Sequence, residues 1–267
     1  MRTTIRDVIA ALTGPARPIE HTVDGLLFGD PDDEVKGIVT AFMASQRVLE
    51  EARAAGANLV ITHEGPFFSH HPSFAETIAD DPVFQAKRNF ILEAGLAVYR
   101  LHDHIHRYRP DGIEEGLIGE LDWKRFRVRH LPEKFAAVIE REETTVREVA
   151  EELKLGLGLP FVRVAGDPDA RCRRIGLLVG YRGGGANAIP LFGREGVDLV
   201  ICGEGPEWET PEYARDAVRQ GRTKAFIAIG HAESERPGMR LLARRLASAF
   251  PHIPVRSADE EPVFTWL

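Results

Sequence analysis

Three short apolar segments that each end in a histidine restrict the fold of this chain more than any other feature. They end at His63, His102 and His231, and Val, Ile, Leu and Ala make up most of their residues. Runs of this length, bounded by turn residues, predict buried strands. In open α/β sheets, ligands bind just beyond the carboxyl ends of such strands. Because a carboxylate or another histidine closely follows each of the three, we predict a metal site at these strand ends.

Segments with helical periodicity alternate with these strands. Helices are predicted over residues 46–55, 85–94 and 145–154, and in a C-terminal stripe of Met239, Leu242, Leu246 and Phe250. Further strands are predicted over residues 37–43, 161–164, 175–180 and 197–202. Thr145 and Glu148 have the spacing of a helix capping box. Strands that alternate with helices are typical of α/β proteins with mainly parallel or mixed sheets.

The order of these elements predicts two α/β lobes. We expect a first lobe of residues 1–127 plus 228–267 to carry the metal ligands, and residues 128–227 to form an inserted second lobe. The chain returns to the first lobe in this scheme because His231 must meet the other two strand-end histidines. The metal site then lies at the C-terminal ends of strands, in the cleft between the lobes.

The composition excludes several classes of function. A net charge of −7 argues against non-specific binding of nucleic acid. No segment approaches the ~18 apolar residues of a membrane-spanning helix, and the first residues lack an apolar secretory signal. We therefore expect a cytoplasmic protein without membrane partners. The two cysteines, Cys172 and Cys202, are too few for a disulfide framework or a thiolate zinc site.

The first candidate motif, His63-Glu64, shares only its first two residues with an HExxH zinc helix. Gly65-Pro66 follows, and Pro66 disrupts a helix at this point. Phe67 stands where the second zinc-binding histidine would be. At the end of a strand that enters a loop, however, His63 and Glu64 can both turn toward a ligand site.

The second motif, His102-Asp-His-Ile-His106, leaves two geometries open. If the strand continues, His102, His104 and His106 project to one face. If the chain turns helical, His102 and His106 are neighbours one turn apart. Either geometry brings at least two imidazoles together. Asp103 and His104 are close alternatives as ligands or as outer-shell residues, because carboxylates commonly orient metal-binding imidazoles.

The third motif, His231-Ala-Glu-Ser-Glu235, places a carboxylate four residues after a histidine. Ser234 is predicted to cap the helix that follows. Together the three motifs supply nitrogen and oxygen ligands without a thiolate: His63, Glu64, His102, His106, His231 and Glu235. Such a set suits Zn, Mn, Fe, Co or Ni.

The number of candidate ligands favours two divalent ions. A catalytic zinc commonly takes about three protein ligands plus water, whereas two ions about 3.5–4 Å apart would use the whole set. We expect Glu235 to bridge the ions, and Glu64 to be either a ligand or the general base.

Two other features have less specific interpretations. His70 and His71 are interpreted as residues of the loop surface or of the outer shell. The glycine-rich segment 180–187, centred on residues 183–185, follows a predicted strand but lacks the Gly-Lys-Ser/Thr of a phosphate-binding loop. It is either an anion-binding loop or a tight turn from strand to helix.

Four segments resemble one known family. Residues 23–29 resemble its N-terminal Gly-Leu-x-x-Gly segment, residues 57–63 its strand into a twin-histidine motif, residues 102–106 its His-x-x-x-Asp motif, and residues 230–235 its Gly-His-x-x-[Thr/Ser]-Glu signature. This is the GTP cyclohydrolase 1 type 2 family, also called NGG-interacting-factor-three-like. Glu64 replaces the second histidine of the twin and His106 replaces the aspartate, which indicates a variant subgroup.

The resemblance implies a two-lobed α/β subunit, a homohexamer and a dinuclear metal centre. From the motifs and the resemblance together, we expect a metal-dependent hydrolase that acts on a small nucleotide-like or phosphorylated substrate. The alternative is a non-catalytic metal-binding regulatory or scaffold protein that forms a ring. An open coordination position beside a substrate-sized pocket favours the enzyme, and saturated ligands in a closed pocket favour the scaffold.

Overall fold

Two compact units make up the chain in the computed structural model, which describes residues 2–265. Unit 1 runs from the N-terminus to Gly112 and resumes at Met239, and unit 2 comprises Ile113–Gly238. Each unit contains one mixed β-sheet with helices packed on it. The predicted fold class of two α/β lobes is therefore confirmed.

Helices and strands alternate along most of residues 2–265. The helices are α1 (Ile5–Thr13), α2 (Gln46–Ala54), α3 (Phe74–Thr77), α4 (Pro82–Glu93), α5 (Asp103–His106), α6 (Gly112–Glu120), α7 (Val146–Leu157), α8 (Gly185–Arg194), α9 (Thr210–Arg219) and α10 (His231–Ala249), with a 3₁₀ turn at Trp123–Arg125. The strands are β1 (Gly25–Phe28), β2 (Ile38–Met43), β3 (Leu59–Glu64), β4 (Ala97–Arg100), β5 (Arg127–Leu131), β6 (Ala136–Thr145), β7 (Arg163–Ala165), β8 (Arg171–Leu178), β9 (Leu199–Cys202), β10 (Ala225–Ala228) and β11 (Val255–Ser257). Among these described helices, none combines the length and the hydropathy that crossing a membrane requires.

The sheet of unit 1 has the strand order β1-β4-β3-β2-β11, and only β1 is antiparallel to its neighbour. Helix α2 begins after its cap Ser45, whose Oγ accepts a hydrogen bond from the backbone N–H of Val48. Buried Val48 and Leu49 pack in one cluster with Val39 of β2 and Val60 of β3. Because β2, β3 and β4 run parallel, their carboxyl ends share one edge of the sheet.

The sheet of unit 2 has the order β5-β6-β8-β9-β10-β7, in which β8, β9 and β10 are parallel and the outer pairs are antiparallel. Helix α7 begins after Thr145, and the capping box predicted with Glu148 is present. The apolar core of unit 2 contains Val138 of β6, Leu191 of α8 and Phe226 of β10.

The structure agrees with most of the predicted elements next to the candidate site. The strands predicted before the three histidines are β3, β4 and β10, and α5 shows that the chain turns helical after His102. The predicted cap at Ser234 is wrong, because α10 already begins at His231. Ser234 is buried in the first turn instead, where its Oγ accepts from Gly180 N at 2.8 Å and donates to the carbonyl of His231 at 2.7 Å.

The division of the chain differs from the predicted boundaries after residues 127 and 227. The structure divides the chain after Gly112 and after Gly238. Residues 228–238 belong to unit 2, where the N–H groups of Ile229 and Gly230 donate to the carbonyls of Cys202, the last residue of β9, and Gly203, at 3.0 and 2.9 Å. His231 and Glu235 therefore lie in unit 2, whereas the sequence assigns them to the lobe of His63.

Candidate metal centre

Parallel pairing of β3 and β4 brings the first two histidines to one edge of the sheet in unit 1. Thr62 is in register with Arg100, and the N–H of Leu101 donates to the carbonyl of Thr62 at 2.7 Å. His63 is fully buried at the end of β3, and His102 follows directly after this pairing. The strand ends thus place both imidazoles next to each other, as the sequence predicts.

A buried carboxylate from a distant part of the chain folds the second motif into a helical turn. Asp24 accepts hydrogen bonds from the backbone N–H groups of His102, Asp103 and His104, at 2.7 to 2.9 Å. Its Oδ2 also bonds His104 Nδ1 at 2.7 Å. These are the N–H groups that the first turn of a helix leaves without partners. The turn brings His106 round to the side of His102.

Three imidazoles form a compact cluster in unit 1. The rings of His63 and His102 are stacked with centroids 4.5 Å apart, and the His106 ring meets them edge-on at 5.0 and 5.2 Å. Each ring offers one nitrogen, and these nitrogens lie within 4.8 Å of one another. The three nitrogens are thus close enough to hold one metal ion together.

The outer nitrogen of each ring faces an oxygen acceptor. Nδ1 of His63 lies 3.2 Å from the carbonyl of Leu101, Nδ1 of His102 lies 2.9 Å from Asp103 Oδ1, and Nδ1 of His106 lies 2.8 Å from Asp111 Oδ2. Such contacts fix the tautomer and direct Nε2 inward, which is the usual arrangement around a metal. The chemistry of this donor set fits a transition-metal ion.

Burial keeps His102 in the form that binds metal. Burial lowers the pKa of His102 to about 4, although the hydrogen bond to Asp103 opposes this shift. The same hydrogen bond holds the pKa of Asp103 well below its ordinary range. His102 is therefore neutral and Asp103 is ionised at neutral pH, and a neutral imidazole is the form that ligates a metal.

A second group of candidate ligands surrounds Glu64. Its Oε1 lies 3.5 Å from His102 Nε2 and 3.7 Å from His70 Nδ1, while its Oε2 accepts from Arg100 at 2.5 Å. Arg100 is almost fully buried and also donates to the carbonyl of His70 at 2.6 Å. Glu64 is therefore fixed by one oxygen, and its other oxygen points toward the histidines. His70, interpreted from the sequence as outer-shell, lies within 4.8 Å of both other members of this group.

The third motif forms its own arrangement in unit 2. His231 lies between two carboxylates, with Nδ1 2.8 Å from Glu204 Oε1 and Nε2 3.2 Å from Glu235 Oε2. Burial by itself lowers the pKa of His231, but the hydrogen bonds to Glu204 and Glu235 outweigh it and raise the pKa to about 10. The pair of carboxylates therefore favours a positive charge at this position, which a proton or a metal ion can supply.

The glycine-rich segment forms a tight turn that passes close to His231 and Glu235. A Cβ at Gly180 (φ +61°) would overlap Glu235 Oε1 and lie 3.2 Å from His231 Nε2. At the start of α8, the N–H of Gly185 donates to the carboxylate of Glu209 at 2.6 Å. Because a side chain of the protein already satisfies this N–H, the structure favours the turn over the anion-binding loop.

Sequence reasoning found the ligand candidates but missed the residues that hold them. His63, Glu64, His102 and His106 come together in unit 1, and His231 and Glu235 come together in unit 2. The missed residues are Asp24, Arg100, Asp111 and Glu204. Only Glu204 had a sequence signal, since it follows strand β9 as the histidines follow theirs.

Known proteins resemble this chain over nearly its whole length. A family model described as Duf34/NIF3 (NGG1p interacting factor 3) matches residues 2–262. A GTP cyclohydrolase 1 type 2 homolog of Streptomyces coelicolor is 28% identical over 263 residues, covering 91% of this chain and 85% of that protein. A protein of the same description from Clostridium acetobutylicum is 24% identical over 232 residues, covering 84% and 81%.

Solved structures show the same fold. The Bacillus cereus protein related to NIF3 has a TM-score of 0.77 at 15% identity and covers 100% of this chain and 99% of its own. The Staphylococcus aureus protein SA1388 has a TM-score of 0.75 at 19% identity and covers 99% of both chains. With a family model that spans almost every residue, the chain belongs to the Duf34/NIF3 family.

Proposed function

We propose that this protein is a dinuclear metal-dependent hydrolase that acts on a small nucleotide-like or phosphorylated molecule. The observation that carries the proposal is the cluster of His63, His102 and His106, whose outer nitrogens all face oxygen acceptors. A purely structural histidine does not need two neighbours with converging nitrogens. His231 and Glu235 are further ligands in this proposal, with Glu235 as the bridging carboxylate.

The proposed chemistry assigns separate tasks to the side chains. Divalent ions bound here would supply Lewis acidity, which makes water a nucleophile near neutral pH. The three histidines of unit 1 hold an ion through Nε2, since Leu101, Asp103 and Asp111 occupy their outer nitrogens. Glu64 Oε1 either coordinates an ion or accepts the proton of the attacking water.

The substrate class rests on the relatives. Several of them are described as GTP cyclohydrolase 1 type 2 homologs, which supports a nucleotide or a related phosphorylated molecule. The homohexamer that the resemblance implies is part of the same proposal, and light scattering of the purified protein gives the mass that tests it.

Metal content per subunit is the experiment that tests the proposal. We expect inductively coupled plasma mass spectrometry to find about two ions per subunit in protein purified without chelator or added metal. Replacing the proposed bridge, Glu235→Gln, abolishes metal occupancy, whereas His21→Ala, at an exposed histidine outside the clusters, leaves the content unchanged. A content near zero that Zn, Mn, Fe, Co and Ni all fail to restore would overturn the proposal.

Turnover is tested on the same protein loaded with the ion it retains. Release of phosphate or opening of the purine ring from a panel of nucleotides and phosphoesters supports the hydrolase. Full metal occupancy without turnover of any panel member supports the metal-binding scaffold instead.

The variant Glu64→Gln separates the two roles of Glu64. If Glu64 is a ligand, the variant loses metal together with activity. If Glu64 is the general base, the variant keeps its metal and loses activity by roughly 10²- to 10⁴-fold. Unchanged metal content and unchanged activity would remove Glu64 from the site.

A further inference from the structure

A cavity of about 190 Å³ lies in unit 1 beside the Glu64–Arg100 pair. Its apolar walls include Phe28, Phe67 and Pro72. An apolar cavity of ~150 Å³ is large enough for a benzene molecule. The volume therefore suits a flat ring system and is too small for a whole nucleotide.

Aromatic packing fixes the wall of this cavity. The rings of Phe28 and Phe67 meet nearly edge-on with centroids 6.0 Å apart, and Phe67 also packs on Phe84 at 4.4 Å. A ring held from two sides keeps its orientation without a ligand present. Such a rigid aromatic wall favours flat, π-bonded ligands, because face or edge contacts are available at little entropic cost.

Two buried cations hold the loop of residues 65–72, which lines the cavity. Lys87 donates through Nζ to the carbonyl of Pro66 at 2.5 Å, and Arg100 donates to the carbonyl of His70 at 2.6 Å. Between these anchors Phe68 adopts φ +59°, which is uncommon for a residue other than glycine. Residues held in this region concentrate at ligand sites. The loop is therefore fixed in a conformation that local sequence preferences alone do not favour.

Polar groups stand at defined points of an otherwise apolar wall. Ser69 and His71 line the cavity, and the N–H of His71 donates to Ser69 Oγ at 3.2 Å, which orients the hydroxyl. Arg100 also lines the cavity, and its guanidinium group donates a hydrogen bond to Glu64. A few polar groups in an apolar pocket are typical of sites that orient a small ligand.

We propose that this cavity binds the heterocyclic base of a nucleoside-type substrate. The base lies against Phe67 and its ring nitrogens and carbonyl groups meet Ser69 and His71. The remainder of the substrate then extends along Gly65 toward Glu64. This proposal deepens the proposed function and rests on it, since Glu64 belongs to the candidate metal centre and Gly65 follows it in the cavity wall.

Guanosine and ribose 5-phosphate are the probes that test the proposal by titration calorimetry with the purified, metal-loaded protein. The variant Ala75→Trp fills the cavity from α3, and Leu27→Trp fills it independently from β1. We expect either change to raise the Kd of guanosine by about tenfold or more, because an added indole leaves no room for the base. The matched control Ala79→Trp, at an exposed residue outside the lining, leaves that Kd unchanged.

The outcomes separate this proposal from the metal proposal. Metal content is counted for every variant, so loss of the metal centre is detected independently of guanosine binding. Equal affinity of guanosine for the wild-type protein and both filled variants would overturn the base site. Binding of ribose 5-phosphate with no binding of guanosine would also overturn it. Benzyl alcohol that competes as strongly as guanosine would overturn the assignment to a heterocycle.

Discussion

The outer nitrogens of the clustered histidines explain how a buried site can keep its ligands ready. A histidine that binds metal must be neutral, and it must present the correct nitrogen. Asp103 and Asp111 meet the second requirement, because each accepts from Nδ1 of one ring and leaves Nε2 as the metal-facing atom. Leu101 does the same for His63 through its backbone carbonyl. These three acceptors therefore determine which nitrogen of each ring faces the metal. Burial meets the first requirement at His102, because it lowers the pKa of that ring.

Replacement of Asp111 tests this view. In Asp111→Asn the side chain keeps its shape but loses the negative charge next to His106 Nδ1. We expect metal affinity to fall by about 10- to 100-fold, as is usual for outer-shell partners of metal-binding histidines. Competition with a chromophoric chelator measures the affinity.

A surface aspartate provides the control for this substitution. Asp32 pairs with Arg6 on the exposed surface of unit 1, and Asp32→Asn should leave metal affinity unchanged. Equal affinity of the Asp111→Asn and Asp32→Asn proteins would show that His106 does not depend on its carboxylate partner.

The buried cation Lys87 makes stability depend on pH in a defined window. Burial lowers the pKa of Lys87 to about 8, while the unfolded chain keeps the ordinary value of 10.5. Between these values the unfolded state binds the additional proton, so the free energy of unfolding increases with pH. The cost of burying the charge is fully present below pH 8 and is relieved above about pH 10.5.

The variant Lys87→Met isolates this effect. Urea unfolding of both proteins at pH 7.5 and pH 10.5 gives two differences in the free energy of unfolding. Relative to Lys87→Met, the wild-type protein should gain about 2–3 kcal/mol at the higher pH. Titration of all other groups cancels in the comparison, so a difference that does not change with pH would show that Lys87 stays charged when buried.

Local signals explain which residues of the site were predictable. His63, His102 and His231 each follow an apolar strand, and that signal lies within a few residues. Asp24 has no such signal, because it meets the N–H of His102 across a separation of 78 residues. Asp111 contacts His106 only because the chain folds back between them. Residues that act through tertiary contacts cannot be identified from their spacing in the sequence.

The same distinction holds for whole elements. Helix α7 was predictable because Thr145 and Glu148 form its cap and its buried face repeats at helical spacing. Strands β1 and β11 were missed; they lie at the edges of their sheet, and none of their residues is buried, unlike those of the short predicted strands β4, β9 and β10. Helix α8 was left open, as the helix after a tight turn at residues 180–187, and its bounds were not predicted.

The turn between β8 and α8 gives a prediction at the scale of elements. In Gly180→Ala the added Cβ must displace the carboxylate of Glu235, which the proposal assigns to the metals. We expect lower metal content, together with a loss of about 1 kcal/mol or more of stability from the left-handed backbone. Metal analysis and urea unfolding of the same preparation measure both effects.

Gly196 is a matched control for the backbone contribution. It has φ +64°, close to the φ +61° of Gly180, and a Cβ there would meet nothing within 4 Å. Gly196→Ala should therefore lose comparable stability through strain but keep its metal. If both variants keep their metal equally, the close approach of Gly180 to Glu235 has no role in metal binding.

At the scale of the whole molecule, the predicted ligands are divided between two stretches of chain. In unit 1, His63 and Glu64 end β3 while His102 and His106 follow β4, whereas His231 and Glu235 lie in unit 2. Apolar periodicity finds each strand end, but it does not determine the unit to which a strand end belongs. Hydrogen bonds from Ile229 and Gly230 to the C-terminal end of β9 support this assignment, and they are visible only in the folded structure.

Metal binding of the proposed kind links the stability of the molecule to the supply of ions. A ligand present at ~100 times its Kd stabilises the folded state by about 2.7 kcal/mol, which for a chain of this size corresponds to a shift of roughly 5–10 °C in Tm. Chelation with EDTA should lower Tm by this amount, and addition of the ion originally bound should restore it. The variant His63→Gln, which removes one imidazole from the cluster, should show a clearly smaller response to EDTA. A wild-type Tm that is the same with and without EDTA, in protein shown to hold its ions beforehand, would mean that metal binding contributes nothing to folding.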